Sequence, residues 1–313
     1  KAAVSFTFDD AFPPHHELVA PLLEEYGYRG TFCLRIDRVV TYGHWDEWKA
    51  VAQAGHDLCN HSWSHLTPHD MGNDSARIYA EVIYSNDTVE THTGYRPLSF
   101  AYPQCSRSEA YRRLILQHYA VDRPCGTTTY GGEGYTAGDA NAFVDRALTG
   151  TLPSRLFEST WLVALIHNVN DQGVEGYRPL KIAEFKKHLT YLQARDDDIW
   201  VGTFTDVARY IKERDNATLS VLHRDQESLS LKIDLPPSMN PQWYTVPLTV
   251  VISSGADPCM VDIVPDGNTY TVRLDDCTVE GGSTGVVRSE RALSVRRSAA
   301  ESARFRINGR EVR

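Results

Sequence analysis

The chain has 313 residues, 42% hydrophobic and 10% aromatic, with 41 acidic against 32 basic side chains and a net charge of −9. That length suits one large domain plus a smaller one, and the apolar fraction excludes a disordered or collagen-like chain. The acidic balance argues against nucleic acid as a partner, which demands a basic stripe, and no run reaches the roughly 20 apolar residues of a transmembrane segment.

Over the first two-thirds, short apolar runs alternate with amphipathic stretches. Runs at 3–8, 30–34, 56–61, 99–103, 120–123, 162–167 and 200–204 are almost continuously apolar, the pattern of strands covered on both faces. Helical faces are marked by Leu18, Leu22 and Tyr26, and by Ile182, Phe185, Leu189 and Leu192. Asp74 is a plausible N-cap for a helix through Ile78 and Val82 to Gly94. Seven strands separated by helices or long loops predict a parallel, barrel-like α/β domain over 1–214, closed by a helix over 206–214.

After Asp215 the pattern changes. Strands are expected at 219–222, 229–235, 246–252, 260–264, 270–274 and 303–307, separated by Gly, Pro, Asp and Ser. They predict a small all-β sandwich over 215–313. Its end, from Arg288 to Arg313, holds eight Arg against three Glu and reads first as solvated strand faces, second as a patch for an anionic polymer or membrane surface. Carbohydrate binding, homodimer formation or cover for a flank of the barrel are the roles open to this domain.

Six cysteines permit disulfides. Cys259 and Cys277 flank an expected hairpin with Pro265-Asp266-Gly267 at its turn, and a bridge is favoured there. Cys33 and Cys59 lie within apolar runs and read equally as buried thiols. Asn73, Asn86 and Asn216 match the glycosylation pattern. Lys1 is followed by no signal-like apolar segment, so any export signal is expected to have been removed or never present. The expected location is secreted, periplasmic or cell-surface, with the cytoplasm as the alternative.

In a parallel α/β barrel, functional groups gather at the carboxyl ends of strands. Asp9 and Asp10 end the first run, His61 the third and His167 the sixth, while Pro103 closes the fourth. His61 and His65 are spaced i, i+4, so a helical turn after the third strand would set both rings on one face for a metal. Either pair alone has an ordinary structural explanation: an acidic pair after a strand is often a turn or cap. Together, at strand ends, they offer a metal site with a spare carboxylate.

Val4-Ser-Phe-Thr-Phe-Asp9-Asp10, Gly30-Thr-Phe, Gly55-His-Asp-Leu-Cys-Asn-His61-Ser-Trp-Ser-His65 and Leu165-Ile-His167 resemble the polysaccharide deacetylases of the NodB-homology type, carbohydrate esterase family 4, over residues 1–214. The resemblance implies a distorted (β/α)7 barrel. It also implies that Asp10, His61 and His65 bind one divalent metal, zinc first, with cobalt or nickel as alternatives. Asp9 would then be the general base and His167 the general acid. An acetylated polysaccharide or oligosaccharide would be the substrate, through its N-acetyl or O-acetyl groups.

The third motif departs from the commoner Arg-Pro-Pro-Tyr-Gly: here it reads Phe100-Ala-Tyr102-Pro103-Gln104-Cys105, similar to a Phe-Ala-Tyr-Pro subgroup that lacks the motif arginine. Arg123 is the candidate to orient Asp9 in its place, an ordinary salt-bridge arginine being the bland alternative. Tyr102, Pro103, Gln104 and Trp63 are candidates to line the substrate cleft, although Tyr102 reads equally as core packing. Trp45, Trp48 and Trp161 are weaker sugar platforms, more often core, and His15 and His16 read first as solvated loop residues, second as cleft lining. Asn168 follows His167 where the family often has an acid, which leaves the orientation of His167 open. The competing functions are a non-carbohydrate amidase on the same barrel and an inactive carbohydrate-binding relative.

Overall fold

The structure is a computed structural model that describes residues 2–72, 74–173, 176–253, 259–281, 289–290, 304–307 and 310–312. It divides into two compact units, Lys1–Val207 and Ala208–Arg313.

The first unit is an eight-stranded parallel sheet. Its strands in chain order are β1 (Ala2–Asp9), β2 (Thr31–Leu34), β3 (Asp57–Asn60), β4 (Ser99–Ala101), β5 (Val121–Arg123), β6 (Thr128–Thr129) and β7 (Trp161–Ile166). A separate two-stranded pair, β8 (Val169–Asn170) with β9 (Leu180–Lys181), precedes β10 (Ile199–Val201). The order is β5-β4-β3-β2-β1-β7-β6. One edge of β1 is shared: its start pairs with β10 at Ala2↔Ile199, its end with β2 at Asp9↔Cys33. That sharing curls the sheet into a half-barrel between the edge strands β5 and β6, the distorted (β/α)7 form expected. Each of the seven predicted runs contains a strand; β6, two residues long, leaves no apolar run to find.

All residues of β2, β3 and β7 are buried, as are seven of the eight in β1, because helices cover the sheet. Phe6 and Phe8 meet Phe185 of the helix Ile182–Gln193 edge-on, at 5.2 and 6.0 Å. Asp74 caps its helix by accepting the N–H groups of Ala76 and Arg77, and the segment ends at left-handed Gly94, as the sequence suggests. The helix expected over 206–214 runs Phe204–Asn216. Among the described residues, no helix is long and apolar enough to cross a membrane.

The second unit is antiparallel: β11 (Thr218–Arg224), β12 (Ser228–Asp234), β13 (Leu248–Ser253), β14 (Cys259–Ile263), β15 (Thr269–Arg273), β16 (Val279–Gly281), β17 (Ser289–Glu290), β18 (Arg304–Ile307) and β19 (Arg310–Val312). They form two sheets, β11-β12-β15-β16 and β17-β14-β13-β18-β19. Burial alternates strictly along β12 and β14, so each sheet offers one face to a shared core. Leu229, Leu231 and Ile233 from one sheet meet Val250, Val261 and Ile263 from the other, the arrangement of a sandwich.

The hairpin expected around Pro265-Asp266-Gly267 is not one. β14 pairs with β13 and β17, β15 with β12 and β16, so this turn carries the chain from one sheet to the other. The expected Cys259–Cys277 bridge is present and joins the two sheets. Cys33 and Cys59 are buried free thiols. Asn73 and most of the basic stretch 288–313 lie outside the described residues.

Candidate active site

Three loops at the carboxyl ends of β1, β3 and β4 form the candidate site. Of the eight non-glycine residues with positive φ among the described residues, six lie in these loops: Asp10, Ala11, Ser62, His65, Gln104 and Cys105. Left-handed backbone is costly for side-chain-bearing residues and concentrates where a site demands a particular geometry.

At the end of β1 the two aspartates part. Asp9, only 3% exposed, takes both carboxylate oxygens to Nη2 of Arg123, each at 2.6 Å. Burial alone would raise the Asp9 pKa, but the charges of Arg123, His61 and His167, with the Arg123 hydrogen bond, outweigh it and hold the group at about 2. Arg123 is itself buried, ends β5 and packs on the Cys33 thiol at 3.9 Å. Asp10, left-handed at φ 78°, keeps Oδ1 buried with no hydrogen-bond partner, while Oδ2 lies 3.7 Å from Arg38.

The helical turn expected between His61 and His65 does not form. Ser62 and His65 are left-handed at φ 66° and 64°. The loop is tied instead by side chains: Asn60 Oδ1 accepts the Ser62 N–H at 2.7 Å, Ser62 Oγ accepts the His65 N–H at 3.0 Å, and Glu81 accepts the N–H and hydroxyl of Ser64. By this route the two rings still converge, with centroids 4.9 Å apart. His61 donates Nδ1–H to the Ala101 carbonyl at 2.8 Å, which fixes the tautomer and leaves the Nε2 lone pair free, the usual support for a metal-ligating histidine. Burial, then the neighbouring His61, push His65 down to about 4, so its ring is neutral at neutral pH, as ligation requires.

The unpartnered Asp10 Oδ1 is 4.0 Å from Nε2 of His61 and 3.8 Å from Nε2 of His65, and the three ligand atoms fall within 4.8 Å of one another. Metal–ligand bonds of about 2.0–2.2 Å at tetrahedral angles separate ligand atoms by roughly 3.3–3.5 Å. A slight closure therefore brings this trio to ligating distance. Two imidazoles and a carboxylate oxygen with no hydrogen-bond partner fit a divalent ion, which would offset the desolvation of that oxygen.

His167, just beyond β7, is half-buried with its Nδ1 buried and unpartnered. Burial, the largest cause, lowers its pKa against the opposing pull of Asp9 and Asp10. Its ring meets the exposed Tyr177 edge-on at 5.2 Å. His15 is not the solvated residue expected: it is fully buried, donates Nε2–H to the His167 carbonyl at 2.6 Å, and is held neutral by burial at a pKa of about 4. His16 is half-buried and bonded to His44.

The remaining candidates divide. Gln104 is exposed on the loop after β4, with φ 53°. Pro103 is buried, and Tyr102 is buried in an aromatic cluster with Phe100 and Tyr111, its hydroxyl donating to Asp122 at 3.2 Å. Trp63 is partly exposed and stacks on Tyr84 at 5.3 Å, whereas Trp48 and Trp161 are core and Trp45 stacks on His92. Sequence reasoning missed Arg38 and Tyr177, which carry no spacing signal, and the Cys105–Cys125 disulfide. The last is signalled only by an even count of cysteines. A cleft of about 580 Å³ lined by Met71, Ile78, Tyr111 and Leu114 contains none of these site residues.

Residues 1–120 match the family model for polysaccharide deacetylase. Along 93% of its length the chain is 24% identical to a gellan lyase from a Bacillus species, but it spans only 14% of that protein. Two similar solved structures are peptidoglycan deacetylase PdaC from Bacillus subtilis (19% identity, 69% of this chain and 94% of that one, TM-score 0.48) and the Xyl-CE4 domain of a multidomain xylanase from the hindgut metagenome of Trinervitermes trinervoides (20%, 66% and 89%, TM-score 0.47). Residues 1–120 are thus similar to the polysaccharide deacetylases, and the matched segment holds Asp9, Asp10, His61 and His65.

Proposed function

We propose that the protein is a metal-dependent hydrolase that removes acetyl groups from a carbohydrate, N-linked or O-linked. The observation that carries this reading is the convergence of Asp10, His61 and His65 beside an Arg123-held Asp9. Asp10, His61 and His65 would hold one divalent ion, zinc first. When bound, such an ion supplies Lewis acidity that makes water a better nucleophile and polarises an acyl carbonyl.

The chain's own groups supply the proton transfers. Asp9, ionised at neutral pH and fixed by Arg123, accepts the proton of the attacking water as its oxygen bonds to the acetyl carbon. The tetrahedral oxyanion needs a donor from the loop after β4. There the N–H groups of Tyr102, Cys105 and Ser106 are engaged and Pro103 has none, which leaves Gln104. His167 then gives a proton to the leaving nitrogen or oxygen as its bond to the acetyl carbon breaks. Burial depresses its pKa, which makes the protonated ring a stronger acid but a scarcer one as pH rises. An amine leaving group leans on it more than an alcohol does. Trp63, with Tyr84 behind it, is offered as a sugar-stacking surface.

Two further readings belong to the same proposal. Residues 1–214 form the catalytic domain and 215–313 a β-sandwich domain, a division supported by the compact units found. Secretion is supported by the two disulfides, which persist in oxidising compartments. Acetate release from acetylated xylan, chitooligosaccharides and peptidoglycan, with and without exhaustive chelation, tests the function. Chelator-sensitive release from one of them is expected. Release that survives chelation removes the metal from the account, and no release from any of them favours the amidase or inactive alternatives.

A further inference from the structure

β5 is an edge strand only three residues long, paired on one side with β4 from Ser99↔Val121 to Ala101↔Arg123. Its ladder ends with the Tyr102 N–H donating to the Arg123 carbonyl at 3.2 Å. It cannot continue, because Pro124 has no N–H to offer. Short edge strands open readily, yet this one ends in the buried guanidinium on which Asp9 depends. The other anchor on the strand lies at its middle residue, where Asp122 takes Arg112 at 3.1 Å and the Tyr102 hydroxyl. Directly beyond Pro124, Cys125 is bridged to Cys105, with Cα atoms 4.9 Å apart. Cys105 belongs to the loop after β4 and follows Gln104, both left-handed. The bridge therefore closes the open end of the β4–β5 ladder, between the loop that departs from the commoner motif and the strand that carries Arg123.

We propose that the Cys105–Cys125 disulfide is a positioning device for the reaction: it fixes the end of β5, and with it Arg123, so that Asp9 is held in line. The proposal rests on the reading of Asp9 as the base. The bridge touches no reacting atom; its effect is assigned to Arg123, and an effect through Gln104, which adjoins Cys105, would survive in an Arg123→Lys background. A displacement of a positioned group by an ångström is enough to cost a large factor in rate.

The test uses the full chain with Cys105→Ser and Cys125→Ser together, and Cys105→Ala with Cys125→Val where the serine pair fails to fold. Hydrogen exchange at the Tyr102 amide, which reports the bond to Arg123 without any need for activity, should quicken by about tenfold or more. The kcat should fall about tenfold with KM within about twofold and metal content unchanged. In an Arg123→Lys background, the same cysteine changes should add little, because both act on one contact. Unchanged exchange at Tyr102, an unchanged kcat, or an equal loss in the Arg123→Lys background overturns the proposal. Should the wild-type protein release no acetate, the functional reading falls by itself, and exchange at Tyr102 then decides alone whether the bridge holds Arg123.

Discussion

Asp9 and Asp10 are joined by one peptide bond, yet they belong to opposite halves of the site. Asp9 ends a strand with seven of its eight residues buried and is neutralised by a buried arginine from the far edge of the sheet. Asp10 stands on a left-handed turn, with a buried oxygen that no hydrogen bond satisfies and two imidazoles facing it. On the proposed reading one short motif supports two chemistries: the base half is built from strand ends and an ion pair, the ligand half from left-handed loops.

The largest effect is expected from Asp9→Asn, which should lower kcat by about 10²–10⁴, the range for loss of a general base, while metal content stays at one ion. Arg123→Ala tests the other side of the same pair. It leaves the Asp9 carboxylate buried and alone, and should cost about 3–5 kcal/mol of stability, read by denaturant unfolding. Its pH dependence has a definite sign. The Asp9 pKa in the fold, about 2, lies below its ordinary 3.8, so its contribution is present above pH 4 and is lost as pH falls toward 2. The wild-type advantage over Arg123→Ala should shrink across that window.

Asp57 sharpens the comparison because it is a buried carboxylate without a cation. Burial first, and then Asp206, raise it to about 6 despite hydrogen bonds from Thr205 and Tyr95. Here stability is full below pH 4 and is lost as pH rises through 6. Relative to wild type, Asp57→Asn should gain on the order of 2–3 kcal/mol between pH 4 and pH 7; a constant difference across that range would contradict the assignment. The smallest effect belongs to Tyr102→Phe, which removes one hydrogen bond to Asp122 and should cost about 0.5–1.5 kcal/mol with kcat unchanged. A large fall in kcat would return Tyr102 to the cleft wall.

What was legible in the sequence follows the same divide. Strands buried on both faces leave continuous apolar runs, so β1, β3 and β7 and the residues at their ends could be read directly. Asp10, His61 and His65 could be put forward together as candidate ligands, although a helical turn was expected between the histidines where side-chain hydrogen bonds tie a left-handed loop. Arg123 could be put forward only because the motif arginine was missing, since a contact across 114 positions leaves no local signal. His15 was read as solvated because two adjacent histidines after a turn look polar, and nothing local shows that the helical segment His15–Val19 buries one of them. In the β unit, Pro265-Asp266-Gly267 announced a turn correctly but not which sheets it joins, because sheet partnership is set by the shared core rather than by turn residues.

Calorimetric titration of zinc into Asp9→Asn and Asp10→Asn, side by side with the wild type, tests the division of labour most directly. Asp9→Asn should bind one ion with affinity within about tenfold of wild type, and Asp10→Asn should lose at least about tenfold to a hundredfold, the loss that even weaker perturbations of a metal site bring. If Asp9→Asn loses the ion and Asp10→Asn keeps it, the two aspartates have been assigned the wrong way round.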